Sequence, residues 1–367
     1  MTLSILFDAY WLVDGPPSGR NMLRSLIPAW AETFPEDLLT LAVPELGAAT
    51  PPLGDLGAVN VIEVPKFSGE VHGSWVALHL GKRASKFDAV ITQNFTPLGP
   101  HSSRRDWKGP VKATFVHDVL FAEHKEWFSR AERAYLSGIA LGVRRTDLIL
   151  TSSVSEQRRI IRTWRHQAEK VRSIGLAVPR DLQGAKRTKP TTNVVGARPF
   201  ILSVGRLNIR KNLGRLIHAY ASSEKLQATC DLVIVGAADG LDALPSAQKI
   251  PETVRFLGSV TDGELAWLYA NCELFAFPSL DEGFGLPLIE AQFFGTAIAA
   301  SNIDVFRELD AADAYFDPRS VGDIRRVLES VAGRGQLERE NTQREIPHWN
   351  GVASRARRAI MEVRSQK

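Results

Sequence analysis

Residues 281–291 read Asp-Glu-Gly-Phe-Gly-Leu-Pro-Leu-Ile-Glu-Ala and directly follow an apolar segment at 274–277. A buried strand, a glycine loop and a proline at the start of a helical pattern predict a strand-loop-helix unit of a parallel sheet. Such a loop presents backbone N–H groups and the positive end of a helix dipole, which together bind anions. Glu282 is expected at the mouth of the loop and Glu290 one turn into the helix, with Gly295 as the C-cap. The alternative is an ordinary turn with two solvated glutamates.

The same alternation of short apolar segments with helical-period stretches runs along the whole chain. It predicts an α/β fold with two doubly wound, Rossmann-like domains that face a central cleft. The expected strands of the first half are 4–7, 38–43, 59–64, 89–92, 113–117 and 148–151. Those of the second half are 200–204, 232–235, 254–257, 274–277 and 297–300.

The domain boundaries follow from length and from one irregular segment. A chain of 367 residues exceeds the roughly 250–300 residues at which a single core stops growing. We expect an N-terminal domain at 1–183, a linker at 184–199 and a second domain at 200–345. The linker has basic residues, two prolines and no regular period. A last helix at 346–367 can pack on either domain.

The composition is that of a globular protein, with 44% hydrophobic and 23% charged residues. The two cysteines, Cys230 and Cys272, lie in apolar surroundings, so a disulfide framework and a cysteine zinc site are excluded. The first residues lack a basic signal-peptide region, and no apolar run approaches the roughly 20 residues of a membrane span. We expect a cytoplasmic protein whose membrane contact, if any, is peripheral on the inner face of the cell membrane.

The net charge of +4 is unevenly distributed. Residues 1–190 carry 25 Lys and Arg against 19 Asp and Glu, which is +6, and residues 191–367 carry 20 against 22, which is −2. The first half is therefore expected to face something anionic. Nucleic acid is not favoured as a partner, because no nucleic-acid recognition motif is present.

A second basic loop follows the first strand of the second half, at 203–213, Ser-Val-Gly-Arg-Leu-Asn-Ile-Arg-Lys-Asn-Leu. Arg206 and Lys211 can converge on one anion such as a pyrophosphate, with planar donors from the guanidinium and a point charge from the ammonium. Gly236, after the next strand, allows a close backbone approach. The alternative is that these cations are simply solvated.

In the first half, His117 is expected at the carboxyl end of a strand, where open α/β sheets bind ligands. A structural histidine held by Asp118 is the alternative. Gly19 lies in a turn at 15–21 that leads into a helix at 22–30. Because this turn lacks three spaced glycines, a nicotinamide cofactor is disfavoured.

A basic segment at 155–172 carries six Lys and Arg residues around Ile160, Ile161 and Trp164. It predicts an amphipathic helix that can bind anionic lipid headgroups. The alternative is a solvated helix face.

Together these segments resemble the family 4 (group 1) glycosyltransferases, retaining enzymes with the GT-B architecture. The resemblance covers nearly the whole chain. Glu282 and Glu290 resemble the family's pair of glutamates separated by seven residues, and residues 205–213 resemble its Gly-Arg and Arg-Lys-Asn-Leu signature. Residues 116–118, 127–130 and 154–156 are similar to landmarks of the acceptor half, and Trp349 resembles the tryptophan that often opens the closing helix.

The resemblance implies a role for each matching side chain. Arg206 and Lys211 would bind the donor diphosphate and neutralise the departing phosphate. Glu290 would accept hydrogen bonds from the donor ribose, and Glu282 would hold sugar hydroxyls. His117 would lie near the sugar.

It also implies roles for the backbone. The amides around Phe284, Gly285 and Leu286 would approach the diphosphate or the sugar, and Gly19 would let the acceptor-side loop close over the phosphates. The donor-binding set is completed by Gly205, Gly236 and Gly283. Catalysis would rest on stabilising the leaving phosphate.

No Asp-x-Asp triplet occurs in the sequence, so the metal clamp of the other major glycosyltransferase fold is absent. We therefore expect a metal-independent enzyme with no cofactor other than its nucleotide-sugar co-substrate.

The leading hypothesis is a retaining glycosyltransferase that moves a hexose, with GDP-mannose as the first donor to test, to a saccharide or lipid-linked saccharide in polysaccharide assembly. The same fold also serves nucleotide-sugar epimerases and phosphorylases, and a non-catalytic nucleotide-sugar-binding subunit is a third alternative. A glycosidase is disfavoured, because Glu282 and Glu290 lie beside a phosphate site on one domain.

Overall fold

Two parallel sheets organise the chain. A computed structural model describes residues 1–45, 56–97, 109–191, 195–237, 250–332 and 345–367. The chain divides into a first unit, Met1–Arg180 with Pro347–Lys367, and a second unit, Asp181–Ile346. The predicted fold class, with doubly wound parallel sheets in both halves, is confirmed.

The first unit contains a seven-stranded sheet. Its strands are β1 (Ser4–Asp8), β2 (Leu38–Pro44), β3 (Asn60–Val64), β4 (Ala89–Gln93), β5 (Val111–Val116), β6 (Leu148–Thr151) and β7 (Val171–Ser173). They are ordered β3-β2-β1-β4-β5-β6-β7, and all neighbours are parallel. The strand order reverses between β1 and β4, which makes their carboxyl ends a topological switch point.

Helices of the first unit connect these strands. They are α1 (Tyr10–Val13), α2 (Pro17–Thr33), α3 (His72–Trp75), α4 (Gly81–Ala84), α5 (Leu120–Glu123), α6 (Arg130–Val143) and α7 (Val154–Thr163). The next helix, α8 (Arg180–Gly184), begins at the last residue of this part of the first unit, and its other residues belong to the second unit. A π-helical turn at Val76–Leu80 joins α3 to α4, and 3-10 turns occupy Lys125–Trp127 and Arg165–Lys170. The α6 helix begins with a capping box between Ser129 and Glu132.

The second unit repeats the plan with six parallel strands. These are β8 (Phe200–Val204), β9 (Asp231–Val235), β10 (Val254–Gly258), β11 (Leu274–Phe277), β12 (Ile298–Ser301) and β13 (Ala314–Phe316), in the order β10-β9-β8-β11-β12-β13. The helices are α9 (Leu213–Ala221), α10 (Glu224–Thr229), α11 (Asp262–Asn271), α12 (Leu286–Phe293), α13 (Asp304–Leu309) and α14 (Val321–Val331). The switch point lies between β8 and β11.

The central strands of both sheets are mostly apolar, and β4, β9 and β11 are buried along their whole length, as expected of strands covered by helices on both faces. In the first unit, Trp30 packs edge-to-face on Phe7 with ring centroids 5.8 Å apart. The Trp30 indole N–H donates to Asp37 over 3.0 Å. The one polar group of the buried Trp30 side chain therefore has a hydrogen-bond partner.

The last helix, α15 (Trp349–Ser365), belongs to the first unit. The Trp349 indole N–H donates to the carbonyl of Val178 over 2.7 Å. Arg357 forms an ion pair with Asp37 over 2.7 Å, and this pair holds the pKa of the Asp37 carboxyl below its usual value, although burial alone would raise it. Within the described ranges, no helix is both long and apolar enough to cross a bilayer.

Three local predictions are wrong. The strands β7 and β13 were not expected, because each has only three residues. The helix predicted over 155–172 ends at Thr163, and a 3-10 turn and β7 follow. Gly19 lies inside the first turn of α2, because Pro17 already starts that helix.

Candidate functional site

The candidate site of the second unit lies at the carboxyl ends of β8 and β11, on either side of the switch point. These strands pair in parallel, with Leu274 opposite Ile201. The loop at 205–212 leaves β8, and the loop at 278–285 leaves β11. Both loops therefore start from the edge where open α/β sheets bind ligands.

Two glycines bring the exits of β8 and β9 together. Gly205 and Gly236 have φ of 154° and 150°, values that side chains rarely adopt. A Cβ atom on Gly236 would lie 1.9 Å from the carbonyl oxygen of Gly205. The Gly205 N–H donates to the Val235 carbonyl over 2.8 Å. The backbone contact thus requires glycine at Gly236.

A short 3-10 turn, Ile209–Lys211, carries the basic side chains. Asn208 caps it by accepting the Lys211 N–H over 3.1 Å. Asn212 adopts the left-handed conformation, and its side-chain amide donates to the carbonyls of Pro278 (3.0 Å) and Pro318 (2.7 Å). The Leu280 N–H donates to the Arg210 carbonyl over 2.8 Å. The turn is therefore tied to the loop after β11.

The carboxylate of Glu282 lies between two cations. Lys211 Nζ is 2.5 Å from its Oε1, and Arg210 Nη1 is 2.6 Å from its Oε2. The Ser279 hydroxyl donates to Oε1 over 2.8 Å. Glu282 is only 5% exposed, so the alternative of a solvated glutamate does not hold for this residue. The loop turns inward because the cations compensate the buried charge.

The charge state of Glu282 follows from these contacts. Burial alone would raise the pKa of its carboxyl. The positive charges of Arg210 and Lys211, with hydrogen bonds from Lys211 and Ser279, outweigh burial and hold the pKa below its ordinary value. The side chain is therefore an anion at neutral pH.

Glu290 lies in α12 and is also buried. The hydroxyl of Tyr269, from α11, donates to its Oε2 over 2.9 Å. Burial raises the pKa of Glu290 to about 7 despite this hydrogen bond. The carboxyl therefore changes charge near neutral pH. Burial likewise raises the pKa of the Tyr269 hydroxyl, which stays protonated.

The glycine loop positions the start of α12. Gly285 is the N-cap with φ of 110°, and a Cβ atom there would lie 2.8 Å from the Phe306 ring. Leu286 is the first helical residue, and Phe284 is buried beside Gly283. The first N–H groups of a helix lack intrahelical acceptors, so α12 presents donors at this edge of the sheet.

Arg206 and Lys211, which were predicted to bind one anion together, lie in different surroundings. Arg206 is exposed in the loop after β8. The ammonium of Lys211 lies 4.9 Å from the centre of the Phe277 ring and contacts Glu282. It is Arg210, which the sequence analysis did not select, that shares the Glu282 carboxylate with Lys211.

In the first unit, His117 directly follows β5. Its Nε2 lies 2.8 Å from the side-chain oxygen of Gln93, and its ring packs against Trp11 with centroids 5.0 Å apart. Burial, together with the nearby His72, lowers the pKa of His117 to about 3. The imidazole is therefore neutral at physiological pH and can offer hydrogen bonds but no charge.

Asp8, at the end of β1, organises this region. Its Oδ2 lies 2.7 Å from Nε2 of His72 and accepts the Gln93 N–H over 3.1 Å. The Trp11 ring lies 4.9 Å from the His72 ring. A Cβ atom on Gly19 would lie 2.0 Å from the Trp11 ring. Gly19 thus packs on an indole face, which its position in the sequence did not indicate.

The structure therefore assembles Gly205, Lys211, Glu282, Glu290 and the glycine loop in the second unit, and His117 with Gly19 in the first. Sequence reasoning missed the partners of these residues. They are Arg210, Ser279 and Tyr269 in the second unit and Asp8, Trp11 and His72 in the first. Arg210 stood within the quoted basic loop, whereas Tyr269 and His72 lie in other segments and carried no local signal.

Comparisons with known proteins identify relatives of this arrangement. The sequence model described as "Glycosyl transferases group 1" matches residues 185–338. The serotype-specific mannosyltransferase WbdA of Escherichia coli is 34% identical over 240 residues, which are 60% of this chain and 29% of that protein. The O-antigen chain mannosyltransferase B of Escherichia coli is 27% identical over 252 residues, or 65% of this chain and 64% of that protein. The chain therefore spans less than a third of the length of WbdA.

Two solved structures resemble the whole chain. Sucrose-phosphate synthase from Thermosynechococcus elongatus gives a TM-score of 0.65 at 14% identity, covering 99% of this chain and 94% of that one. WaaG, a glycosyltransferase involved in lipopolysaccharide biosynthesis, gives 0.63 at 18% identity, covering 97% and 95%. At these identities the likeness concerns the fold, and it confirms the predicted GT-B architecture.

Proposed function

We propose that this chain is a retaining hexosyltransferase, because residues 185–338 match the sequence model of the group 1 glycosyltransferases. It moves a hexose from a nucleotide sugar to a saccharide or lipid-linked saccharide in polysaccharide assembly. GDP-mannose is the proposed donor, because WbdA and mannosyltransferase B are mannosyltransferases. The observation that carries the proposal is the buried Glu282 carboxylate between Arg210 and Lys211, beside the start of α12.

The leaving group is the centre of the proposed mechanism. As the bond between the sugar and the phosphate breaks, negative charge grows on the diphosphate and positive charge on the sugar carbon. Arg206, Lys211 and the N–H groups at the start of α12 supply fixed positive charge and dipoles for the diphosphate. Groups that are already in position stabilise a transition state without reorganisation cost.

The two glutamates are proposed to recognise the rest of the donor. Glu282 is an anion at neutral pH, and so can accept hydrogen bonds from sugar hydroxyls. Glu290, whose pKa is about 7, accepts hydrogen bonds from the ribose once it is ionised. Gly205 and Gly236, which pack on each other at the exits of β8 and β9, and Gly283 are proposed to let the donor approach the backbone.

In the first unit, His117 is proposed to contact the transferred sugar as a neutral hydrogen-bonding group. Its pKa of about 3 makes a cationic role unsuitable at physiological pH. Asp8 and Gln93 hold it, since Asp8 accepts the Gln93 N–H and the Gln93 side chain contacts the imidazole. The cations of the second unit must therefore stabilise the negative charge on the departing phosphate.

We further propose that the enzyme needs no metal ion. We also propose that it associates peripherally with an anionic membrane surface, through the first unit. The exposed basic side chains of α7 and the following turn support the second idea: Arg158, Arg162 and Arg165. Arg159 does not contribute, because it is buried against Glu156 and Glu123. Co-sedimentation with vesicles should require anionic lipid and should be lost in Arg158→Glu/Arg162→Glu; binding indifferent to both would end this idea.

Turnover of GDP-mannose by single variants tests the proposed function. Arg206→Ala and Lys211→Ala should each lower kcat by about a hundredfold, the scale for loss of one charge-stabilising group. Arg326→Ala, at an exposed ion pair on α14, should match the wild type. A thermal-shift comparison of nucleotide sugars identifies the base and sugar, because a bound donor stabilises by mass action. Near-normal rates in both site variants would defeat the proposal.

A further inference from the structure

Arg210 lies in the candidate site of the second unit, and the proposed function gives it no role in donor binding. Its guanidinium contacts Glu282 Oε2 over 2.6 Å, while Lys211 and Ser279 contact Oε1. Each oxygen of the carboxylate thus has its own charged partner. The Arg210 side chain is 23% exposed and that of Glu282 only 7%, so the pair is shielded from water and from screening by salt.

The backbone fixes Arg210 in place. Its carbonyl accepts the Leu280 N–H over 2.8 Å, so the residue is bonded to the same loop that carries Glu282. The Asn212 amide bridges to Pro278 in that loop as well. These two hydrogen bonds tie the loop of Arg210 to the loop of Glu282 and so hold the guanidinium near the carboxylate.

A comparison of the positive and negative charges at the site indicates a role for Arg210. The diphosphate of a nucleotide sugar carries two negative charges, and the proposed function brings it to Lys211 and Arg206. Glu282 adds a third negative charge to the same edge of the sheet. Two cations cannot neutralise three anionic charges, and an uncompensated buried carboxylate is costly. A third cation is needed, and Arg210 already contacts Glu282.

We propose that Arg210 is a positioning residue that holds the Glu282 carboxylate in place, as the hydrogen-bond acceptor of the donor sugar, while Lys211 also binds the diphosphate. The inference rests on the proposed function and deepens it. Without Arg210, burial would raise the pKa of the Glu282 carboxyl, and the group would take up a proton. A protonated carboxyl presents a donor where the sugar hydroxyls need an acceptor.

A titration followed by NMR tests the charge of Glu282 directly. The carboxyl carbon of Glu282 is observed in protein labelled at glutamate and assigned with Glu282→Gln. In the wild type, in Arg210→Lys and in the control Arg326→Gln, we expect no titration of this signal between pH 5 and pH 8. In Arg210→Gln we expect it to titrate within that range. A signal that remains that of an anion throughout in Arg210→Gln overturns the proposal.

Kinetics separate positioning from phosphate binding. For Arg210→Gln, kcat/KM with GDP-mannose should fall at least about tenfold at pH 6, and the loss should shrink toward pH 9 as Glu282 ionises. Arg210→Lys should restore most of the rate. The affinity for GDP, measured by calorimetry, should stay within about twofold. A pH profile parallel to that of the wild type, or a tenfold loss of GDP affinity, contradicts a positioning role.

The wild-type protein provides a further readout should Arg210→Gln fail to fold. The Arg210 guanidinium signal, assigned with Arg210→Lys, should remain in slow exchange when GDP is added, because its partner is Glu282. A large shift on addition of GDP would mean that Arg210 binds phosphate, and would overturn the proposal. If the wild type consumes no nucleotide sugar, the proposed function fails, whereas the titration still decides whether Arg210 holds Glu282.

Discussion

The hydroxyl of Tyr269 donates a 2.9 Å hydrogen bond to Oε2 of Glu290 in the interior of the second unit. Tyr269 lies in α11 and Glu290 in α12, so one polar contact joins two helices that cover the sheet. The contact provides a partner for the buried carboxyl, but burial still dominates and raises its pKa to about 7. A group that would hold the donor ribose thus titrates at physiological pH.

Donor binding should consequently depend on pH through Glu290. Below pH 7 the carboxyl is protonated in the folded protein, and above pH 7 it is an anion that accepts ribose hydrogen bonds. The affinity for GDP-mannose should rise about tenfold from pH 6 to pH 8, since only the ionised fraction is competent to bind. Calorimetry with Glu290→Gln provides the comparison, and its affinity should be low and flat. An equal slope in both proteins would exclude Glu290 as the cause.

Gly236 should tolerate no side chain. Gly236→Ala would place a Cβ atom 1.9 Å from the Gly205 carbonyl oxygen at a φ of 150°. We expect the variant to lose about 3 kcal/mol of unfolding free energy, because strain and overlap add. Gly184→Ala is the control, since nothing lies within 4 Å of that position. Urea unfolding measures both, and similar midpoints would show that the backbone contact is not tight.

Gly19 should matter through Trp11. In Gly19→Ala the new methyl group overlaps the indole, whose movement is restricted by the rings of His72 and His117. The substitution should cost about 1–3 kcal/mol of unfolding free energy. The same substitution in a Trp11→Leu background should cost clearly less. Equal costs in both backgrounds would refute the packing role and leave loop closure as the function of Gly19.

Chelation should not affect turnover. In the proposed mechanism, Arg206 and Lys211 stabilise the negative charge on the departing phosphate. The sequence has no Asp-x-Asp triplet. GDP-mannose consumption in EDTA should therefore equal the rate without EDTA. A loss of activity that added manganese restores would contradict this part of the account.

The order of elements was largely predictable from the sequence. Long apolar strands such as 200–204 and 274–277 match β8 and β11 residue for residue, because buried parallel strands are nearly continuous apolar runs. The short strands β7 and β13 were missed, since three residues carry too little periodicity. The helix predicted over 155–172 stops at Thr163 because the chain turns into β7, a pairing that no local pattern indicates.

The candidate site was less predictable than the fold. The glycine loop, Lys211 and the two glutamates were recognisable as residues, but their pairings depend on contacts between distant segments. Arg210 and Glu282 are 72 positions apart, and only the tie between their loops brings them together. A turn with two solvated glutamates was the alternative, since glutamates usually are exposed. The burial of Glu282 could be recognised only once both cations were placed beside it.

The position of a bound nucleoside diphosphate tests the central claim most directly. A crystal of the full chain soaked with GDP should show the diphosphate within hydrogen-bond distance of Lys211 and Arg206, with the ribose at Glu290. Electron density for the nucleotide elsewhere, with the edge of β8 and β11 empty, would contradict the account.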